Sequence, residues 1–146
     1  MADTLITHIE DLTVAIRYKL NLMNKSLRPA AITMVVDGGG MVITSGNKLD
    51  VEVPFDCIIM GWTILADRPG TAEIDLWKTN YANAPPTLSN TIVSTSKPIL
   101  SGNSKAQASN LTGWDRGISA GDIIRVNVDA ASLVTRLTFT LQVLRG

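Results

Sequence analysis

Between Val53 and Lys78 the chain reads VPFDCIIMGWTILADRPGTAEIDLWK, and two strand patterns meet there across a turn signal. Cys57 to Ala66 is apolar almost without break, Gly61 apart. A short continuous apolar run of this kind reads as a strand buried on both faces or nearly so. Asp67-Arg68-Pro69-Gly70 follows. Pro69 presets φ for a turn, and Gly70 accepts the positive φ that a following position often needs. Beyond it the alternation is clean. Ala72, Ile74 and Leu76 face one way, and Glu73, Asp75 and Trp77 the other. The spacing predicts a β-hairpin at the centre of an antiparallel sheet, with another layer packed on it.

The segment before Pro29 has a different period. Leu5, Ile9, Leu12, Ile16, Leu20, Met23 and Leu27 step by three or four, which places one apolar stripe on a helix of about six turns. Ile6 widens it, and one step departs from a strict heptad. Asp3 or Thr4 caps the start, Lys19, Lys25 and Arg28 suit the C-terminal dipole, and Pro29 stops the helix. Alone in water such a helix is marginal. Its stripe packs either on the β-domain of its own chain or on copies of itself. The mixture of Ile and Leu along the seam suits a trimer at least as well as a dimer. Residues 1–28 therefore read as an amphipathic oligomerising or anchoring helix, and residues 29–146 as the β-domain.

After Pro29 turns come often. Ile32 to Val36 is a short strand, Asp37-Gly38-Gly39-Gly40 a tight hairpin turn, and Met41 to Thr44 its return. No Gly-Lys-Ser/Thr and no helix follow the glycines, which excludes a phosphate loop. Leu49, Val51 and Val53 alternate as a strand, after a turn at Ser45 to Lys48. Tyr81 to Pro86 is a loop, and Ser89 to Ser94 is one helical turn or a short strand. Ser104 to Asn110 stays ambiguous, and Leu111 and Trp114 return to the core. Ile124, Val126 and Val128 form a strand, Asp129 to Ser132 a turn, and Leu133, Thr135, Leu137, Phe139, Leu141 and Val143 one face of a long final strand. These last two make a second hairpin. About eight short strands without interposed helices predict a mainly β chain, an antiparallel, jelly-roll-like β-sandwich preceded by one N-terminal α-helix.

Thirteen basic and thirteen acidic residues leave no net charge, so nothing draws the chain as a whole toward nucleic acid or a membrane. The start has no basic, apolar signal sequence, and no apolar run reaches the ~20 residues of a membrane helix. These features predict a soluble protein made in a cytosol. Cys57 is the only cysteine and reads as a buried, inert thiol. His8, the only histidine, lies among polar neighbours on the helix. A Ser-His-Asp triad or a zinc site cannot be assembled from these residues. Glu73 and Asp75 share a strand face roughly 7 Å apart, which matches glycosidase spacing loosely but reads better as a solvated face. A calcium site from Asp56, Asp67 or Asp122 lacks the Asp-x-Asp-x-Asp-Gly loop. No catalytic, cofactor or metal residues are predicted. Trp77 with Tyr81 nearby, and Trp114, are the aromatic candidates for a glycan or partner contact, and Trp77 reads better as packed in an interface or under a second layer than as stacked on a sugar.

Several stretches resemble β-domains in structural proteins of tailed bacteriophages. Gly61-Trp62, Asp75-Leu76-Trp77-Lys78, Pro85-Pro86-Thr87, Leu111-Thr112-Gly113-Trp114, Ala120-Gly121-Asp122 and the final strand carry the resemblance, from Val53 to Val143. It implies a jelly-roll-like domain, homotrimerisation and no catalysis. The N-terminal helix lies outside it. Decoration proteins of the capsid, head fibres and tail-fibre tips look alike at this level. One helix and one domain suit a homotrimeric decoration or cement protein on the head surface, with itself and the major capsid protein as partners. A short tail fibre or head fibre binding host glycans is the second expectation. Leu5, Ile9, Leu12, Ile16, Leu20 and Met23 are the expected oligomer contacts, and the virion, after synthesis in the bacterial cytoplasm, is the expected location.

Overall fold

The computed structural model describes residues 2–26 and 28–146, and only the backbone of residues 24–26. Leu27 of the predicted stripe lies outside the described residues. The mainly β architecture follows the sequence: one helix, α1 (Ala2–Ser26), precedes seven antiparallel strands. These are β1 (Arg28–Asp37), β2 (Gly46–Val53), β3 (Cys57–Thr79), β4 (Ile99–Ala108), β5 (Gly117–Ile118), β6 (Asp122–Ser132) and β7 (Arg136–Arg145).

The predicted central hairpin does not form. Cys57 to Thr79 is one strand of 23 residues. Its first half pairs with β7, from Cys57↔Arg145 to Ala66↔Leu137. Its second half pairs with β6, from Thr71↔Ser132 to Thr79↔Ile123. The predicted second hairpin is absent too. β6 and β7 run end to end in one direction along a single edge of β3, and they do not pair with each other. β4 lies along the other edge of β3, joined at residues 62–65 and again at 70–73. The centre is therefore a bent ribbon of long strands. β1 extends it beside β7, and β2 extends it beside β6.

The two segments read as reversing turns form the elbow of this ribbon. Residues 67–69 of β3 pair with neither β6 nor β7. Pro69 therefore costs no ladder hydrogen bond, since its missing N–H falls where the strand changes partner. Gly70 answers a close approach, and its φ is not positive. A Cβ there would lie 2.5 Å from the Ser132 carbonyl oxygen and 2.7 Å from a Val134 methyl. Asp67 ties the elbow from the other side. Its carboxylate accepts hydrogen bonds from the Thr135 hydroxyl at 2.5 Å and from the Thr135 and Arg136 amides, each at 3.1 Å. Leu133 belongs to this elbow, exposed at 63% with φ +67°, and not to the inward face of the last strand.

Bending brings two inner faces together around one core. Ile32, Met34 and Val36 of β1, Leu137, Phe139, Leu141 and Val143 of β7, and Ile59, Trp62 and Ile64 of β3 pack with Ala72, Ile74, Leu76, Val126 and Val128 from the other half. The alternation at 72–76 and 137–143 was legible for this reason. Met41 to Thr44 is not a strand. That loop closes over the elbow through Gly38 N–H to the Thr135 carbonyl, 2.7 Å, and Ile43 N–H to the Val134 carbonyl, 2.9 Å. Leu88–Asn90 forms one turn of 3-10 helix, and the ambiguous Ser104 to Asn110 contributes to β4.

Candidate assembly surface

Every side chain described on α1, from Ala2 to Met23, is exposed. The expected contact residues Leu5, Ile9, Leu12, Ile16, Leu20 and Met23 are between 51% and 62% exposed. Among the described residues, the hydrophobic core draws only on the β-domain. The described part of the stripe therefore does not pack on the β-domain of its own chain. No helix among the described residues is long and apolar enough to cross a membrane.

The β-domain has an open side as well. The apolar run at the start of β3 was expected to be buried on both faces, but Ile58, Met60 and Leu65 are 48%, 39% and 54% exposed. Among the described residues no layer covers these side chains on the outer face of this half. Around these side chains the surface is rich in hydroxyls and amides. The Gln142 amide donates to Thr63 at 2.8 Å, and Thr33 and Thr140 hydroxyls lie 3.3 Å apart.

The other half of β3 is covered, which corrects the reading of Glu73 and Asp75 as a solvated face and places Trp77 under a second layer. The segment after β3 turns back through the cis Ala84–Pro85 bond and lies along the strand. Thr91 bridges to Trp77, and Ile92 N–H donates to the Leu76 carbonyl at 2.9 Å. Asp75 is 1% exposed and accepts from the Thr91 hydroxyl at 2.6 Å. Lys97 lies 2.5 Å from Asp129, 3.7 Å from Glu73 and 3.9 Å from Asp75. The Asp129 hydrogen bond, then the surrounding carboxylates, raise the Lys97 pKa against its partial burial. Glu73 and Asp75 thus share a lysine beneath a loop. Arg125 holds the same loop, clamping Asp50 at 2.6 and 2.7 Å and donating to the Pro86 carbonyl at 3.1 Å.

The three aromatic candidates do not form one surface. Trp77 and Trp114 are each 8% exposed, and Tyr81 is 79% exposed. Trp114 donates to the Ser96 carbonyl at 2.8 Å and fastens the covering segment from beneath. Trp77 Nε1 is buried without a hydrogen-bond partner among the described residues. The acidic residues weighed as a calcium site are bound to backbone amides instead: Asp56 to Ala120, Asp122 to Ser119 and Asp67 to the elbow. Among the described residues no cluster of three His, Cys, Asp or Glu side chains could hold a metal ion. Cys57 lies at an open depression of about 460 Å³ lined also by Asp56, Ile118 and Gly146. Burial, then the charges of Asp56 and Asp122, push its thiol pKa up.

No protein-family model matches the chain, and no curated protein matches it. Among solved structures the chain is similar to the SPBc2 prophage-derived protein YomS, at 10% identity and TM-score 0.39 over 79% of this chain and 95% of that one. It is similar to the N-terminal cellulose-binding domain of β-1,4-glucanase C from Cellulomonas fimi, at 14% identity and TM-score 0.37 over 83% and 78%. It is also similar to a chain of turnip yellow mosaic virus, at 11% identity and TM-score 0.34 over 81% and 80%. At such scores these overlaps carry no weight for function.

Proposed function

We propose that this protein is a non-enzymatic structural component of a tailed-phage virion, a homotrimeric decoration or cement protein on the head surface. It is made in the host cytoplasm, assembles through α1, and presents the β-domain against the major capsid protein. The observation that carries this reading is the exposed stripe. Six large apolar side chains, each more than half exposed, line one face of a helix that adds nothing to the core. Covering them stabilises an assembly by roughly 5–9 kcal/mol per helix, at about half the value of full side-chain burial. The resemblance from Val53 to Val143 supports the virion assignment. The second reading, a fibre domain that binds host glycans, needs an aromatic platform, and of the three candidates Trp77 and Trp114 are buried and Tyr81 is exposed.

The test is the solution mass by light scattering of the full chain and of a truncation starting at Pro29, with uptake of the full chain by heads purified without it. A trimer that becomes a folded monomer on truncation, and that sediments with the heads, is the expected result. A monomeric full-length chain overturns the reading. Binding to an immobilised glycan panel with no uptake by heads would favour the fibre.

A further inference from the structure

The stripe on α1 keeps a period that the seven-residue repeat does not explain. Eleven residues separate Leu5 from Ile16, Ile9 from Leu20 and Leu12 from Met23. Resting on the assembly reading above, we propose that α1 packs against copies of itself through an 11-residue seam, as a straight or right-handed parallel bundle and not a left-handed coiled coil.

Eleven residues over three turns give about 3.67 residues per turn, against about 3.5 for a heptad and about 3.6 for an unbent helix. The stripe drifts by only about 20° per repeat, so it stays within one ~100° face of a straight helix along its length. A heptad continued from Leu5, Ile9, Leu12 and Ile16 would bring Lys19 into the seam and push Leu20 out of it. The sequence has the apolar residue at 20 and the cation at 19.

The occupant must be apolar and straight over the ~27 Å from Leu5 to Met23, at 1.5 Å per residue. A second copy of α1 meets that requirement. The open face of the β-domain, with Thr33, Thr63, Thr140 and Gln142 among its apolar side chains, does not. One such seam about 10 Å wide covers roughly 270 Å², far below the ~800 Å² per partner of a stable two-body interface. Three copies give each helix two such seams, roughly 540 Å² in all and double what a dimer buries per helix. Cyclic closure makes the helices parallel and in register. Glu10, Asp11 and Arg17 then fall roughly 100–140° from the seam centre, where like charges on neighbouring copies stay apart.

The experiment is disulfide cross-linking in the full chain, with Leu20→Cys, Lys19→Cys and Met23→Cys made singly and their masses measured by light scattering. Cys57 is 5% exposed and stays silent under mild oxidation. Position 23 lies in the seam under either period and serves as the positive control. The expected result is efficient cross-linking between copies at 20 and 23 and little at 19. Cross-linking at 19 and 23 but not at 20, in a chain that is still trimeric, overturns the 11-residue seam and leaves self-association standing. A monomeric chain that cross-links at none of the three overturns the assembly reading itself.

Discussion

Gly70→Ala tests whether the sheet is one bent ribbon. In a hairpin turn with positive φ the added methyl would strain the backbone. In the ribbon it meets atoms: the Ser132 carbonyl oxygen at 2.5 Å, a Val134 methyl at 2.7 Å and the Val134 nitrogen at 3.2 Å. Two of these three belong to backbone that Asp67 holds through Thr135 and Arg136, so the elbow cannot simply step aside. Overpacking against fixed neighbours costs roughly 1–3 kcal/mol. For a chain of this size that corresponds to about 6 °C in Tm at the middle of the range, at about 3 °C per kcal/mol. Gly117→Ala is the matched control, since a Cβ there meets nothing within 4 Å and its φ is not positive. Chemical and thermal unfolding of both variants, read by tryptophan fluorescence, gives the comparison. A Gly70→Ala protein as stable as the Gly117→Ala protein would refute the close approach of β3 to the β6–β7 junction.

Other outcomes follow from the same contacts. Hydrogen bonding from Thr135 first, then from the Arg136 and Thr135 amides, holds the Asp67 carboxyl well below the usual carboxylate range. Its stabilisation is present above the unfolded pKa of about 3.9 and is lost as pH falls through the lower folded value. The deficit of Asp67→Asn relative to wild type, measured by urea unfolding from pH 6 to pH 2, should therefore shrink only at the acid end. Lys97→Met leaves Glu73, Asp75 and Asp129 facing one another. It should cost roughly 2–4 kcal/mol, less than breaking a fully buried pair because the lysine is partly exposed. Because the folded Lys97 pKa is raised, that contribution is complete below about pH 10.4 and declines as pH rises through the folded value, which a stability profile to pH 11 would show. Ile9→Asp with Ile16→Asp should lower the solution mass and leave the thermal unfolding of the β-domain unchanged. A matching loss of β-domain stability would mean that α1 packs on the core after all.

Alternation made much of this legible, because it depends only on which residues a strand must bury. Ala72, Ile74 and Leu76 and the 137–143 face fell where their spacing put them. The helix and its stripe were equally plain. The sequence misled where residues suited to a turn do a different job. Asp67-Arg68-Pro69-Gly70 has the composition of a reversal, but a proline without a donor and a glycine without a side chain also suit a strand that changes partner under a close neighbour. Trp77 was expected in an interface or under a second layer, and the layer is supplied by its own chain. Alternation correctly assigns it to the outer face of β3, but says nothing of the segment that returns 14 residues later to cover it. Leu133 was misread by carrying an alternation through a junction where φ is positive.

The attachment of α1 has a mechanical consequence. α1 ends at Ser26 and β1 begins at Arg28, so tension on the helix enters the sheet at the first residue of an edge strand. β1 is paired with β7 along its full length, from Arg28↔Arg145 to Asp37↔Arg136. A pull directed along β1 loads those rungs together, in shear, because the hydrogen bonds of an antiparallel ladder lie across the strands. A pull at right angles opens them one after another, starting at Arg28. Resistance to force is set by the unfolding rate, so the direction in which the helix is tethered decides how long the domain survives a strained attachment.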